Sequence, residues 1–209
     1  MEVRRQSLIL VGALLLLLAA FAFFQRSSVP ISKDDAANFA LADASVYLQK
    51  NYLGKDTLMR VVDQSELGGG KFAVGIEIVA NPHSACPTVE RLDYELMPVA
   101  FSRPPQMLVK DCETHPVLRR EQAIINSAKF DGISQLVAAD GRACAFPVPL
   151  LETQSERDYC PFADFAALKQ FELNAALPTG SWLLQWEAGS DRVLLALDPS
   201  GKEVARKKA

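Results

Sequence analysis

Histidine is nearly absent from this 209-residue chain, which has two, alongside four cysteines and two tryptophans. Any imidazole chemistry therefore rests on His83 and His115. No stretch matches a Gly-rich phosphate loop, a Gly-x-Ser-x-Gly nucleophile elbow, His-Glu-x-x-His or Cys-x-x-Cys. The usual sequence signatures of nucleotide binding, serine hydrolysis, zinc proteolysis and thiol–disulfide exchange are thus missing. There is no low-complexity or disordered tract either. Basic excess is also lacking: setting aside Glu2, Arg4, Arg5 and Arg26 leaves 19 basic and 24 acidic residues, a formal charge of −5. Phosphate backbones are repelled by such a surface, so nucleic acid is not an expected partner. The terminal Arg206-Lys207-Lys208 is too short to reverse this and reads as a solvated tail.

One long apolar run is present. Residues 7–24, SLILVGALLLLLAAFAFF, carry no charge and follow Arg4 and Arg5. As a helix they span roughly 27 Å, just sufficient for a bilayer core. The basic pair predicts a cytoplasmic N-terminus and a single-pass anchor with the bulk of the protein outside the cell membrane. The alternative is secretion after cleavage near Ala22, since Ala20-Phe21-Ala22 fits the A-x-A rule. Either way the remaining residues, roughly 180, are exported and are enough for one substantial domain or two small ones.

Ser32-Lys33-Asp34-Asp35 reads as a helix start, with acidic residues at the positive end of the dipole. Ala37, Ala40, Leu41, Ala44, Leu48 and Tyr52 recur at helical spacing up to a stop at Gly54. Strands are expected at 57–62, at 71–80 with Phe72, Val74, Ile76 and Ile78 on one face, at 89–101 with Leu92, Tyr94 and Leu96, and at 106–110. A helix over 118–129 opens the second half. Asp140-Gly141 between apolar runs predicts a hairpin of strands 133–138 and 143–150, with Pro147 and Pro149 placing the second at a sheet edge. A polar loop then leads to Cys160, and a helix is expected from Pro161 to about Leu173. Strands at 181–187, carrying Trp182, Leu184 and Trp186, at 192–197 and at 202–205 close the chain as a three-stranded meander. The expected class is α+β: an anchor or signal sequence over residues 1–30, a helix-plus-meander module over 31–116, and a second α+β module over 117–209.

A long helix followed by four antiparallel strands, over residues 32–112, resembles the cystatin-like arrangement, in which a curved sheet wraps a helix. The resemblance lies in element order. The Gln-x-Val-x-Gly hairpin and Pro-Trp turn of the inhibitors are missing, and Gln64-Ser65-Glu66-Leu67-Gly68 does not replace them, so protease inhibition is not implied. The Trp182 strand, the apolar strand after it and the Asp198-Pro199-Ser200-Gly201-Lys202 turn resemble the end of PepSY-like exported domains.

His83-x-x-Cys86 and Cys112-x-x-His115 form mirrored motifs. A meander brings the start of its third strand beside the end of its fourth, which makes Cys86 and Cys112 neighbours. In an oxidising compartment a Cys86–Cys112 disulfide is expected, with Cys144 and Cys160 as the second pair, although four cysteines allow three pairings. Alternatively His83, Cys86, Cys112 and His115 complete a closed, structural Cys2His2 zinc site, with zinc as the one cofactor considered. Cys86 with His115 as a papain-like pair is the weakest reading, because an exported cysteine with three disulfide partners makes a poor nucleophile. No catalytic residue is expected. Absent a catalytic set, the chain is expected to act as an anchored binding or assembly module for a protein partner.

Overall fold

The computed structural model describes residues 32–96, 100–117 and 119–208. The apolar run at 7–24, with its alternative cleavage near Ala22, lies outside these. Among the described residues no helix is long and apolar enough to cross a membrane. The class is α+β, on two antiparallel sheets.

Helix α1 (Lys33–Asn51) begins in a capping box: Ser32 Oγ accepts from the Asp35 N–H at 3.1 Å, and Asp35 Oδ2 accepts from the Ser32 N–H at 3.2 Å. Ala36, Ala40 and Ala44 form its buried line, one step round from the expected Ala37. Small methyl groups at a spacing of four let the helix lie close to the sheet. Phe72, Val74, Ile76, Ile78, Leu92, Tyr94 and Leu96 then supply the volume of the core from the strands.

The first sheet contains β1 (Thr57–Gly68), β2 (Lys71–Ala80), β3 (Thr88–Leu96), β4 (Ala100–Ser102) and β5 (Gln106–Val109). The order is β1-β2-β3, with β4 and β5 both antiparallel to β3 in a broken fourth lane. β1 runs six residues beyond its expected end at 62. It is an edge strand whose ladder partner is β2, so Asp63, Gln64 and Glu66 can face water without loss; register shifts at Val61/Asp63 and Glu66/Gly68 absorb the irregular sequence. Gly69 and Gly70, at φ 64° and 73°, make the tight turn that joins the two strands. The expected strand 89–101 instead stops at Leu96, and Ala100 pairs back onto it. Alternation in β2 points Phe72, Val74, Ile76 and Ile78 at α1. On the opposite face Val79 packs with Val89, Val109 and Ile125, and Ile125 belongs to the second unit.

That unit contains α2 (Arg120–Ser127), α3 (Ile133–Ala138), β6 (Arg142–Pro147), α4 (Gln154–Tyr159), α5 (Phe165–Asn174), β7 (Trp182–Ala188), β8 (Asp191–Leu197) and β9 (Glu203–Lys208), with sheet order β6-β7-β8-β9. The closing meander is thus joined by β6 as a fourth strand. Helices cover both faces: Ile124, Ile133 and Leu136 pack on Ala143, Leu184 and Trp186, while Tyr159, Phe165, Leu168 and Phe171 pack on Phe146, Leu183 and Leu194. Trp186 is fully buried and donates its indole N–H to Ser127 Oγ at 2.8 Å, and that hydroxyl donates to the Ile124 carbonyl at 2.8 Å.

Residues 133–138 are helix and not the expected strand. Ile133 and Leu136, three apart, are its buried pair. Asp140 takes a left-handed φ of 52°, and the Gly141 N–H returns to the Leu136 carbonyl at 2.8 Å. Asp-Gly therefore ends a helix instead of turning a hairpin. The loop expected before Cys160 holds α4, capped by Thr153 Oγ1, and α5 starts at Phe165 under an Asp164 cap, later than Pro161. Five polar residues ahead of a single aromatic, Tyr159, give no periodicity by which to recognise α4.

Candidate functional site

Cys86 pairs with Cys112 (Cα–Cα 5.3 Å) and Cys144 with Cys160 (6.2 Å). The first bridge ties the loop between β2 and β3 to the chain leaving β5, where Cys112 is exposed. The second is fully buried beside Phe146, Tyr159 and Leu168.

His83 crosses from the first unit to the second. Asn81 at φ 52°, a conformation asparagine tolerates, starts the turn that carries it. The His83 carbonyl accepts from the Ala143 N–H at 2.8 Å, and its Nδ1 lies 3.1 Å from the Ala143 carbonyl. The ring sits between Tyr159 and Phe162 at centroid distances of 5.3 and 5.2 Å, with Nδ1 3.8 Å from Cys144 Sγ. Burial among these groups lowers its pKa from the usual value. His115 lies elsewhere: its backbone N–H donates to Asn126 Oδ1 at 3.3 Å and its carbonyl accepts from Asn126 Nδ2 at 2.7 Å. The zinc alternative needs the sulfurs of Cys86 and Cys112 as free thiolates. Their two sulfurs are bonded to each other, and among the described residues no three His, Cys, Asp or Glu side chains are grouped to hold a metal. The same bond occupies Cys86, the imagined nucleophile.

Two clefts open along the seam between the units. One, of about 680 Å³, is lined by Asp56, His83, Ser84, Cys86, Asp140 and Arg142 among others. Its Arg142 guanidinium lies 4.0 Å from the Phe162 ring centroid and donates to Glu187 at 2.8 and 2.9 Å. The other, of about 570 Å³, is lined by Arg60, Val62, Glu77, Arg91, Arg119, Arg120 and Trp182. Strand register makes this second cluster, since Arg60 on β1 and Arg91 on β3 both pair with Glu77 on β2 and so share one face of the sheet.

Glu77, 2% exposed, accepts from Arg60 Nε at 3.1 Å and Nη2 at 2.8 Å on one oxygen, and from Arg119 Nη1 on the other. Arg119 immediately precedes α2, so one carboxylate joins the two units. Arg60 Nη2 is also 3.2 Å from the buried Glu121 of α2. Arg120 forms two 3.1 Å bonds to Glu156 and lies 4.2 Å from the Tyr159 ring centroid. Burial by itself would raise the Glu77 carboxyl, but the hydrogen bonds and charges of Arg119 and Arg60 outweigh it and hold the group below the usual carboxylate range. Burial chiefly pushes the Tyr159 phenol up to about 12.

Only the motif loop of this seam had a sequence signal. The ionic cluster joins residues 17 and 42 positions apart, and no local pattern marks such pairs. Comparison with family models, with curated proteins and with solved structures finds no match.

Proposed function

We propose that the chain is a membrane-anchored, extracytoplasmic binding or assembly module that carries out no chemistry of its own and works with a protein partner. Residues 7–24 are its anchor. The observation that carries this reading is the pair of disulfides, one exposed at the seam and one buried in a core. Such bridges form and persist outside the reducing cytosol. They brace a frame on which the seam clefts are the most chemically featured surface. We further read the first unit as cystatin-like in arrangement, without inhibitory activity, and the second as PepSY-like.

Crosslinking of the full-length protein in intact cells, followed by denaturing capture, tests this reading. The expected result is the same adduct protein in replicate captures, with no thiol alkylated unless reductant is added. Failure to recover any adduct reproducibly, or four alkylatable thiols in the native protein, contradicts it.

A further inference from the structure

We propose that the exposed face of α1 is a self-association surface, on which a second copy of this chain packs its own α1 in antiparallel orientation. The inference goes beyond the binding-module reading and takes from it only the anchor at residues 7–24. Phe39, Val46 and Leu53 are 56%, 65% and 86% exposed. Phe39 and Val46 lie about two turns apart on α1 with the small, exposed Ala42 between them, and Leu53 follows at the same interval in the turn past the helix. The buried line of Ala36, Ala40 and Ala44 is on the other side, where the first sheet covers it. Of the two apolar faces that α1 carries, the fold covers one.

The width and charge of the uncovered face favour another α1. Asn38, Asp43, Gln49 and Lys50, all exposed, flank the apolar line, so it has the form of a helix–helix seam and is narrower than the face by which a helix lies in a bilayer. The helix carries Lys33 and Lys50 against Asp34, Asp35 and Asp43, which gives no attraction to anionic lipid. In an antiparallel pair centred between Ala42 and Asp43, Phe39 of each copy meets Val46 of the other, and Asp35 of each meets Lys50 of the other. Each contact occurs twice, as a two-fold interface requires. Among the described residues Lys50 has no ion pair and the Asp35 carboxylate is engaged only by Ser32, so both charges are available. Asp43, the other charge near the centre, is a hydrogen-bond partner of Tyr94 in the sheet. A parallel pair would instead set Asp35 against Asp35 and Lys50 against Lys50, with the helix dipoles aligned. The apolar run ends at residue 24 and α1 starts at Lys33, so residues 25–32, at most about 28 Å of chain, join them. Two anchored copies thus hold their α1 helices in one thin layer beside the same membrane, where confinement raises their effective concentration.

The test uses the full-length protein in native membranes, where the four natural cysteines are paired, and reads disulfide dimers on non-reducing gels after mild oxidation. Ala42→Cys, beside the two-fold axis, is expected to give a dimer, and Leu173→Cys on α5, 73% exposed, at most about a tenth as much. Phe39→Cys and Val46→Cys should each dimerise poorly alone and well when co-expressed. In the Ala42→Cys background, Lys50→Glu turns two attractive contacts into repulsive ones and should lower the dimer about tenfold at low salt, while Lys50→Arg leaves it unchanged. Val46→Asp should abolish the dimer without moving the melting temperature, because Val46 lies on the surface. No dimer from Ala42→Cys, as much from Leu173→Cys, or dimers from Phe39→Cys and Val46→Cys alone as strong as from the mixture overturns the proposal, the last by revealing a parallel pair. If Ala42→Cys stays monomeric while a polarity-sensitive dye on the introduced thiol reports an apolar setting only in lipid vesicles, the face lies on the bilayer and the proposal falls. If that thiol links instead to a different protein, self-association falls while the binding-module reading stands. Release of the protein from membranes by carbonate alone sinks the anchor reading, and the same dimers, read in solution at high protein concentration, still decide the seam.

Discussion

Replacing Cys144 and Cys160 by alanine should destabilise the protein more than replacing Cys86 and Cys112, although the second pair closes the longer loop. The separations are 16 and 26 residues. Chain entropy alone assigns about 3.1 kcal/mol to the shorter loop and about 3.5 kcal/mol to the longer, a difference of only a few tenths. Burial reverses the order. Cys144 and Cys160 are both fully buried against Phe146, Tyr159 and Leu168, whereas Cys86 is half-buried and Cys112 exposed. Deleting two buried sulfur atoms adds about 1 kcal/mol each in lost transfer energy and residual cavity. The expected costs are therefore about 5 kcal/mol for C144A/C160A and about 3.5 kcal/mol for C86A/C112A. Urea unfolding followed by the fluorescence of Trp182 and Trp186 measures both. A larger loss for C86A/C112A, or none for either, refutes the argument.

Glu77→Gln leaves two guanidinium groups without their shared anion and should cost about 3 kcal/mol in urea unfolding. Because the folded Glu77 pKa is lowered, its stabilisation is complete above the ordinary value of 4.5 and is lost as pH falls through the folded value; the acid limb of the stability profile should be shallower in that variant. His83 behaves as a buried base: below its ordinary value of 6.5 the unfolded chain takes up the proton first, so stability falls from there down to the folded value. His83→Gln should remove that slope in thermal melts taken between pH 7.5 and 5.5, and an unchanged slope would place the titrating group elsewhere. Gly141→Ala sets a Cβ 2.5 Å from the Leu136 carbonyl oxygen and should cost about 1–3 kcal/mol by the same denaturation assay.

Where the chain's own pattern had a clear period, the sequence was readable. Alternation in β2, the Gly68-Gly69-Gly70 turn, the capped start of α1 and the closing Trp182 meander all appear in the structure near their expected places. Short elements and the ends of long strands were the errors. Residues 133–138 are too few to separate a buried helix from a strand, and α4 has a polar sequence that owes its helicity to the Thr153 cap and the packing of Tyr159. The mirrored motif was conspicuous but its meaning was not. Its cysteines meet across β3 and β5, while the His83 ring enters the aromatic cluster of Tyr159 and Phe162 and the backbone of His115 is held by Asn126. The Glu77 cluster could not be read in advance, because strand register and the docking of α2 create it, and neither is encoded by adjacent residues.

The most direct test of a partner-binding module is site-specific photocrosslinking in living cells from two exposed positions. Val62 lies in the arginine cleft and is 39% exposed, and Leu173 on α5 is 73% exposed. A photoreactive residue at Val62 is predicted to give one defined protein adduct that the same residue at Leu173 does not give. No adduct from Val62, or the same diffuse set from both positions, would contradict the account.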